Sequence, residues 1–167
     1  MSSKGGSGVE KSFAAALDAA RKSPDSEEAW DHLEELADEL QRPDEVAALY
    51  REVVVGSDLD GDDWDQVAQR AVQFGEEWFG DTPDEVVALL SDVLGREPTS
   101  EWAFERLTVV LTGAERWDEL LDAYDRVLAA TEDLDRARQL RDDAAQVAKD
   151  FAGNAMRAVG YLRKQLE

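Results

Sequence analysis

The stretch PDEVAALYREV (residues 43–53) returns twice in altered form, as PDEVVALLSDV (residues 83–93) and as WDELLDAYDRV (residues 117–127). All three versions have Asp and Glu at the second and third positions and apolar residues at the fourth, seventh, eighth and eleventh. On a helix with 3.6 residues per turn, those four apolar positions form one stripe. Each stretch is therefore predicted to be an amphipathic helix.

A second apolar pattern precedes each of these helices. It opens on a large aromatic residue and places an aliphatic residue three positions later. The pairs are Trp30 with Leu33, Trp64 with Val67, and Phe104 with Leu107. The interval from Trp30 to Trp64 is 34 residues, and so is the interval from Asp84 to Asp118. A fixed period of this length is typical of helical hairpins that stack side by side.

These hairpins resemble tetratricopeptide repeats, a family of 34-residue helix–turn–helix units. The resemblance rests on Trp30, Leu33, Tyr50 and Val53, and on Pro98, which stands where such a repeat closes. It implies an all-α fold, namely a right-handed α-solenoid (a TPR-like superhelix) of antiparallel helical hairpins with about nine helices.

The sequence predicts a flexible N-terminal tail followed by a single TPR-like helical-repeat domain. The tail covers residues 1–11 and the domain residues 12–167, with an opening helix at 12–22, repeats at about 26–57, 61–97 and 99–131, and a degenerate repeat at 134–166. The second repeat carries about six extra residues around Trp78 and Phe79, which suggests an insertion at a hairpin tip. These aromatic side chains are interpreted either as a staple for the long turn or as an exposed contact for a partner.

In the family that the chain resembles, the first helix of each repeat lines a concave groove. Carrying those positions over gives these candidate partner-binding residues: Glu28, Asp31, Glu35, Asp38, Glu39, Asp62, Asp65, Trp102 and Val109. The resemblance implies a groove that is acidic at one end and partly apolar at the other. It would accept a basic segment with an apolar anchor near Trp102 and Val109. The alternative is that these carboxylates form a solvated helix face.

Charge and composition narrow the classes of partner and chemistry. The net charge is −21, from 39 acidic and 18 basic residues, which disfavours nucleic acid and anionic membranes and favours a basic partner. The chain has no cysteine and one histidine, His32, so neither catalytic residues nor a cofactor or metal are predicted. The segment at residues 58–63 resembles the start of a calcium loop, but Asp63 replaces the loop glycine and Gln69 the closing glutamate. It is better interpreted as a turn.

The predicted function is a non-enzymatic interaction module, an adaptor or scaffold for another protein with a basic or amphipathic segment. An alternative is a self-assembling structural protein, a homo-oligomer joined through solenoid ends, because the last helix ends on Leu162 and Leu166 with no polar cap. A third is an enzyme that uses buried carboxylates, although no acidic pair is marked by an apolar setting. The chain shows neither a secretory signal nor an apolar run that could span a bilayer, so a cytoplasmic location is predicted.

Overall fold

The computed structural model describes residues 3–166, and over that range the chain forms α-helices and no β-strand. The nine described helices are α1 (Ser3–Lys22), α2 (Glu27–Leu40), α3 (Asp44–Gly56), α4 (Gly61–Phe79), α5 (Pro83–Arg96), α6 (Glu101–Gly113), α7 (Trp117–Ala130), α8 (Leu134–Asp150) and α9 (Ala155–Gln165). From α1 to α4, and again from α5 to α9, helices that follow one another in sequence pack together. The prediction of an all-α helical-repeat fold is confirmed for the described residues.

The chain divides into two compact units, with the boundary between Asp81 and Thr82. The first unit contains α1 to α4 and the second contains α5 to α9. The sequence predicted one domain over 12–167, and the boundary lies within its second repeat. Apolar patterning shows which face of a helix is buried but not which neighbour covers most of it, so the division leaves no mark in the periodicity.

An aromatic stack holds the core of the first unit. Trp30 of α2 lies against Tyr50 of α3 with ring centroids 4.0 Å apart and planes 8° from parallel, and Tyr50 contacts Phe74 of α4. The indole N–H of Trp30 donates to the carbonyl of Pro24 at 2.8 Å. The stack therefore joins three helices, and the buried indole nitrogen is satisfied by the segment just before α2.

The core of the second unit repeats the stripe that the sequence predicted. Leu89 and Leu90 of α5 are buried, and so is Leu120 of α7. Phe104 and Tyr124 meet edge to face with centroids 5.0 Å apart. Burial of several large side chains at about 1.5–3 kcal/mol each is the main stabilising contribution in this unit.

The structure differs from the predicted boundaries at two places. Helix α1 begins at Ser3, so residues 3–11 of the predicted tail are helical, while Met1 and Ser2 lie outside the described residues. No proline interrupts residues 3–11. They extend a helix that is anchored in the core by the buried side chains of Phe13 and Ala16. The extra residues of the second repeat lengthen α4 to Phe79 and form no separate turn insertion. Gly75, which favours a turn by composition, is buried within this helix.

Candidate functional site

A groove runs between α2 and α4 within the first unit, and we call it the α2–α4 groove. It consists of two cavities, of about 660 Å³ and about 280 Å³, and Arg70 and Gln73 line both of them. The other residues that line the larger cavity are Glu34, Asp38, Gln41, Phe74, Glu77 and Trp78. The smaller cavity includes the acidic residues Asp25, Glu27 and Asp63.

Helical spacing explains why these side chains share one surface. Glu34 and Asp38 are four residues apart on α2, and Arg70, Gln73 and Glu77 are three and seven apart on α4. Spacings of three, four and seven residues place side chains on one face of a helix. The apolar faces of both helices are buried in the core, so their polar flanks border the same groove.

Arg70 is the central cation of the groove and connects three helices. Its Nε donates to the Tyr50 hydroxyl of α3 at 2.9 Å, and its guanidinium donates to Asp31 of α2 at 2.5 Å. The guanidinium also pairs with Glu34 of α2. The Arg70 side chain is only 25% exposed, and a planar guanidinium suits this kind of multiple hydrogen bonding.

Burial sets the ionisation of this cluster. Burial raises the pKa of Glu34 above its ordinary value, and the hydrogen bond from Arg70 counteracts part of that rise. Burial, followed by the charge of Glu34, raises the pKa of Tyr50. Burial acts to lower the pKa of Arg70, but hydrogen bonds to Asp31 and Glu34 outweigh it, so the pKa of Arg70 is raised. Arg70 is therefore a permanent cation, and its charge is balanced by two carboxylates.

The remaining carboxylates of the larger cavity are available to a ligand. Among residues 8–166, whose side chains the structure describes, neither Asp38 nor Glu77 has an ion-pair partner. Phe74 and the half-buried Trp78 lie beside them, with ring centroids 6.1 Å apart. This combination of uncompensated carboxylates and an aromatic surface can accept cationic groups and the apolar stems or side chains next to them.

The sequence-predicted residues of α2 divide between this groove and open solvent. Asp38 lines the larger cavity and Asp31 binds Arg70. Glu28, Glu35 and Glu39 are exposed on α2 and do not line either cavity. Of the five acidic residues that were predicted to bind a partner on α2, two therefore lie at the groove.

The other predicted residues are more dispersed. On α4, Trp78 lines the groove, Phe79 is half-buried at the helix end, Asp62 is exposed and Asp65 accepts a hydrogen bond from Gln69 at 2.8 Å. Trp102 and Val109 belong to α6 of the second unit, where Trp102 is half-buried and Val109 is 71% exposed. The apolar surface of the larger cavity in the α2–α4 groove comes from Phe74 and Trp78.

Glu34, Arg70 and Glu77 are functional candidates that sequence reasoning missed. A signal for Arg70 was present, because it is the only basic residue between Arg51 and Arg96. An isolated cation within a long acidic stretch indicates a fixed structural pairing. No comparable signal separates Glu34 or Glu77 from their acidic neighbours.

No protein-family model matches the chain, and a comparison with curated proteins finds no match either. Over residues 8–166, no group of three or more acidic or histidine side chains is arranged to hold a metal ion. None of the helices in the same range combines the length and the apolar character of a membrane span.

The ionisation of Glu34 predicts a pH effect on stability. Its folded pKa lies above its ordinary value of 4.5, so its protonated form favours the fold at low pH. That contribution is lost as the pH rises through the folded pKa. The difference in free energy of unfolding between wild type and Glu34→Gln should therefore fall by less than about 1 kcal/mol from about pH 4 to about pH 7. Urea titrations at several pH values measure this difference. A rising difference for Glu34→Gln would contradict the assignment.

Proposed function

We propose that this chain is a non-enzymatic interaction module that binds a basic, amphipathic peptide segment of another protein along the α2–α4 groove. The proposal rests on one cavity that contains both acidic and aromatic side chains. Asp38 and Glu77 lack cationic partners among the described residues, and Phe74 and Trp78 line the same cavity. A lysine or arginine side chain would meet a carboxylate with its head group and an aromatic ring with its stem.

The same proposal treats the chain as a TPR-like adaptor in the cytoplasm, with α2 and α4 as the first helices of consecutive repeats. Trp30 and Trp64 support the equivalence of these two helices, since they stand 34 residues apart and are 1% and 4% exposed. Each indole N–H donates to a backbone carbonyl of the preceding segment, Trp30 to Pro24 and Trp64 to Val54. Equivalent anchoring of this kind favours a repeated unit over two unrelated helices.

Peptide titration with matched charge reversals tests the groove. The probe is a fluorescent peptide with leucine and lysine at helical spacing, and its glutamate counterpart serves as the negative control. The variant Asp38→Lys/Glu77→Lys should weaken binding of the lysine peptide by roughly tenfold, because the carboxylates at the site are reversed. Raising the ionic strength should weaken wild-type binding as well.

The variant Glu35→Lys/Glu39→Lys is the matched control, since it makes the same change in net charge on α2 outside both cavities. It should weaken binding by less than about threefold, through the long-range field alone. Equal losses in the two variants would show that net charge, and not the groove, attracts the peptide. Full affinity in Asp38→Lys/Glu77→Lys would exclude the groove as the site.

Trp78 is expected to contribute more to binding than to stability. Its ring contacts Phe74 at the edge of the core, and one side remains open to the groove. Trp78→Ala should lower the affinity for the lysine peptide by roughly tenfold, as expected for an aromatic anchor, and the free energy of unfolding by about 1 kcal/mol. Phe79→Ala, which alters the adjacent aromatic residue, is the control. A large loss of stability with unchanged affinity would favour the staple interpretation of the sequence.

A second candidate function is self-association through α9, and an apolar stripe on that helix favours it. Leu162 and Leu166 are 48% and 90% exposed, and Val159 is also exposed beside them. Concentration-dependent mass in sedimentation equilibrium, abolished by Leu162→Glu, would support this function. A constant monomer mass would exclude it.

A further inference from the structure

The second unit contains another groove, formed by α7, α8 and α9, which we call the α7–α9 groove. Its volume is about 730 Å³. Leu128 comes from α7, Arg141 from α8, and Met156, Gly160 and Lys164 from α9. The three α9 residues are spaced at i, i+4 and i+8, so they form one face of the helix. Val159 and Leu162 lie on a different face of the same helix, and Leu166 follows directly after its last residue.

The charge of this groove is opposite to that of the chain. Although the chain carries −21, α9 has three cations and no acidic residue over Ala155–Gln165. Arg157 is committed to the fold, because it pairs with Asp122 at 2.8 Å and with Asp125 at 2.7 Å of α7. The other two cations that line the groove, Arg141 and Lys164, are therefore the ones that matter for a ligand.

The side chains of Arg141 and Lys164 have no hydrogen-bond or ion-pair partner within the described part of the chain. The Nε atom of Arg141 is buried and has no acceptor, although the residue lines the groove. An unsatisfied guanidinium is unfavourable, so a ligand carboxylate that paired with the groove side of Arg141 would be favoured. The groove can therefore bind one anionic group at Arg141 of α8 and another at Lys164 of α9.

The apolar part of the groove has room for a large side chain. Met156 is 86% exposed, and no atom lies within 4 Å of the position that a Cβ would take at Gly160. A ligand backbone can therefore approach α9 closely at Gly160. Tyr161 forms one wall and is held in place, since its hydroxyl donates to Asp125 at 2.6 Å.

We propose that the α7–α9 groove is a second docking surface, which takes an acidic peptide segment of another protein with a large apolar anchor residue. The anchor would lie beside Leu128, Met156 and Tyr161, and flanking carboxylates would pair with Arg141 and Lys164. This inference goes beyond the proposed function, which concerns basic segments and the first unit. Together the two grooves would give one chain two binding surfaces of opposite charge preference.

Charge and apolar complementarity favour this occupant over a second copy of the chain or a lipid surface. A second copy that docked by the same groove would bring its own Arg141 and Lys164 to this surface, and repulsion between like charges opposes that contact. The acidic helix α2 of a second copy lacks an anchor, because Val55 is the one large apolar side chain exposed in the described part of the first unit. An anionic lipid surface extends beyond the groove and meets the negative charge of the surrounding chain, whose net charge is −21, whereas a short peptide segment meets the groove alone.

Peptide binding to the full chain tests this proposal. The probe is a fluorescent peptide with leucine and glutamate at helical spacing, and the lysine counterpart is titrated in parallel. The single variants Met156→Glu and Lys164→Glu change exposed side chains, so the fold should be retained, and circular dichroism verifies this. Each should weaken binding of the glutamate peptide by roughly tenfold, through a lost anchor contact or a reversed charge.

Two controls distinguish the groove from its surroundings. Lys149→Glu makes the same charge change as Lys164→Glu at an exposed position of α8 outside the groove, and Leu162→Glu alters the other face of α9. Both should leave the affinity for the glutamate peptide within about twofold of wild type. Failure of the glutamate peptide to bind, or equal losses in Lys149→Glu and Lys164→Glu, would overturn the proposal.

Two further outcomes would assign the surface to another occupant. Dimerisation of the wild type in sedimentation equilibrium that Met156→Glu abolishes would make the groove a self-association surface. Binding to phosphatidylserine vesicles that Met156→Glu abolishes would make it a lipid surface. Because Asp38→Lys/Glu77→Lys alters only the α2–α4 groove, its effect on the lysine peptide keeps failure of the first groove distinct from failure of the second.

Discussion

Trp30→Ala should lower the free energy of unfolding by about 4 kcal/mol, the largest effect expected from a single substitution in the first unit. The side chain is 1% exposed and stacks on Tyr50 with centroids 4.0 Å apart. Its indole N–H also satisfies the carbonyl of Pro24. Alanine would remove the stacking surface and leave a cavity between α2 and α3, and the surrounding helices can fill such a cavity only in part.

Chemical denaturation followed by circular dichroism measures this loss, and hydrogen exchange locates it. Amide exchange should accelerate in peptides from α2, α3 and α4, because the stack of Trp30, Tyr50 and Phe74 joins these helices. Trp30→Phe should cost less, about 1–2 kcal/mol, since it keeps much of the ring but loses the hydrogen bond. His32→Ala on the exposed side of α2 is the control. Stability within about 1 kcal/mol of wild type in Trp30→Ala would contradict the role of the stack.

The prediction about Trp30 was accessible from the sequence, since a large aromatic that opens an apolar stripe and recurs after 34 residues has few roles outside a core. The same periodicity located Tyr50 and predicted an all-α chain. These features depend on local spacing alone, and apolar burial dominates the choice of helix face.

It was harder to predict from the sequence which residues line the α2–α4 groove, because that depends on the rotation of each helix about its axis. Successive residues of an α-helix differ by about 100° in direction, so Glu34 and Glu35 point to different surroundings although both are acidic. Positions carried over from a family gave Glu35, whereas Glu34 lies against Arg70. A run of similar carboxylates contains no information that distinguishes the two, and the apolar residues of α2 fix the rotation only to within one neighbouring position.

The full length of α1 and of α4 was also not predicted from the sequence, for a different reason. The composition of residues 1–11 and the pair Gly75 and Gly80 favour loops by propensity. Propensity differences are about 1 kcal/mol per glycine, and burial of residues such as Phe13 and Phe74 in the adjoining helix outweighs them. Local preference therefore gave the wrong state where tertiary packing decides, as at residues 3–11 and 75–79.

Arg70→Met is expected to change stability and peptide affinity in opposite directions. Arg70 binds Tyr50, Asp31 and Glu34, and its side chain is 25% exposed. Removing it leaves the half-buried carboxylate of Glu34 without a cation, which should lower the free energy of unfolding by about 2 kcal/mol, less than for a fully buried pair. The same substitution makes the groove more negative, so affinity for the lysine peptide should rise by roughly threefold.

Denaturation and peptide titration on the same samples measure the two effects. Glu34→Gln in the Arg70→Met background should restore about half of the lost stability, because it removes the uncompensated charge. Arg70→Lys keeps the charge without the planar group and should lose an intermediate amount. Arg126→Met, a change at an exposed cation of α7, controls for net charge. A fall in affinity together with stability would mean that Arg70 positions the groove for its ligand. A rise in affinity as stability falls would mean that Arg70 neutralises carboxylates that the fold brings close together. It would also mean that a basic partner competes with Arg70 for these carboxylates.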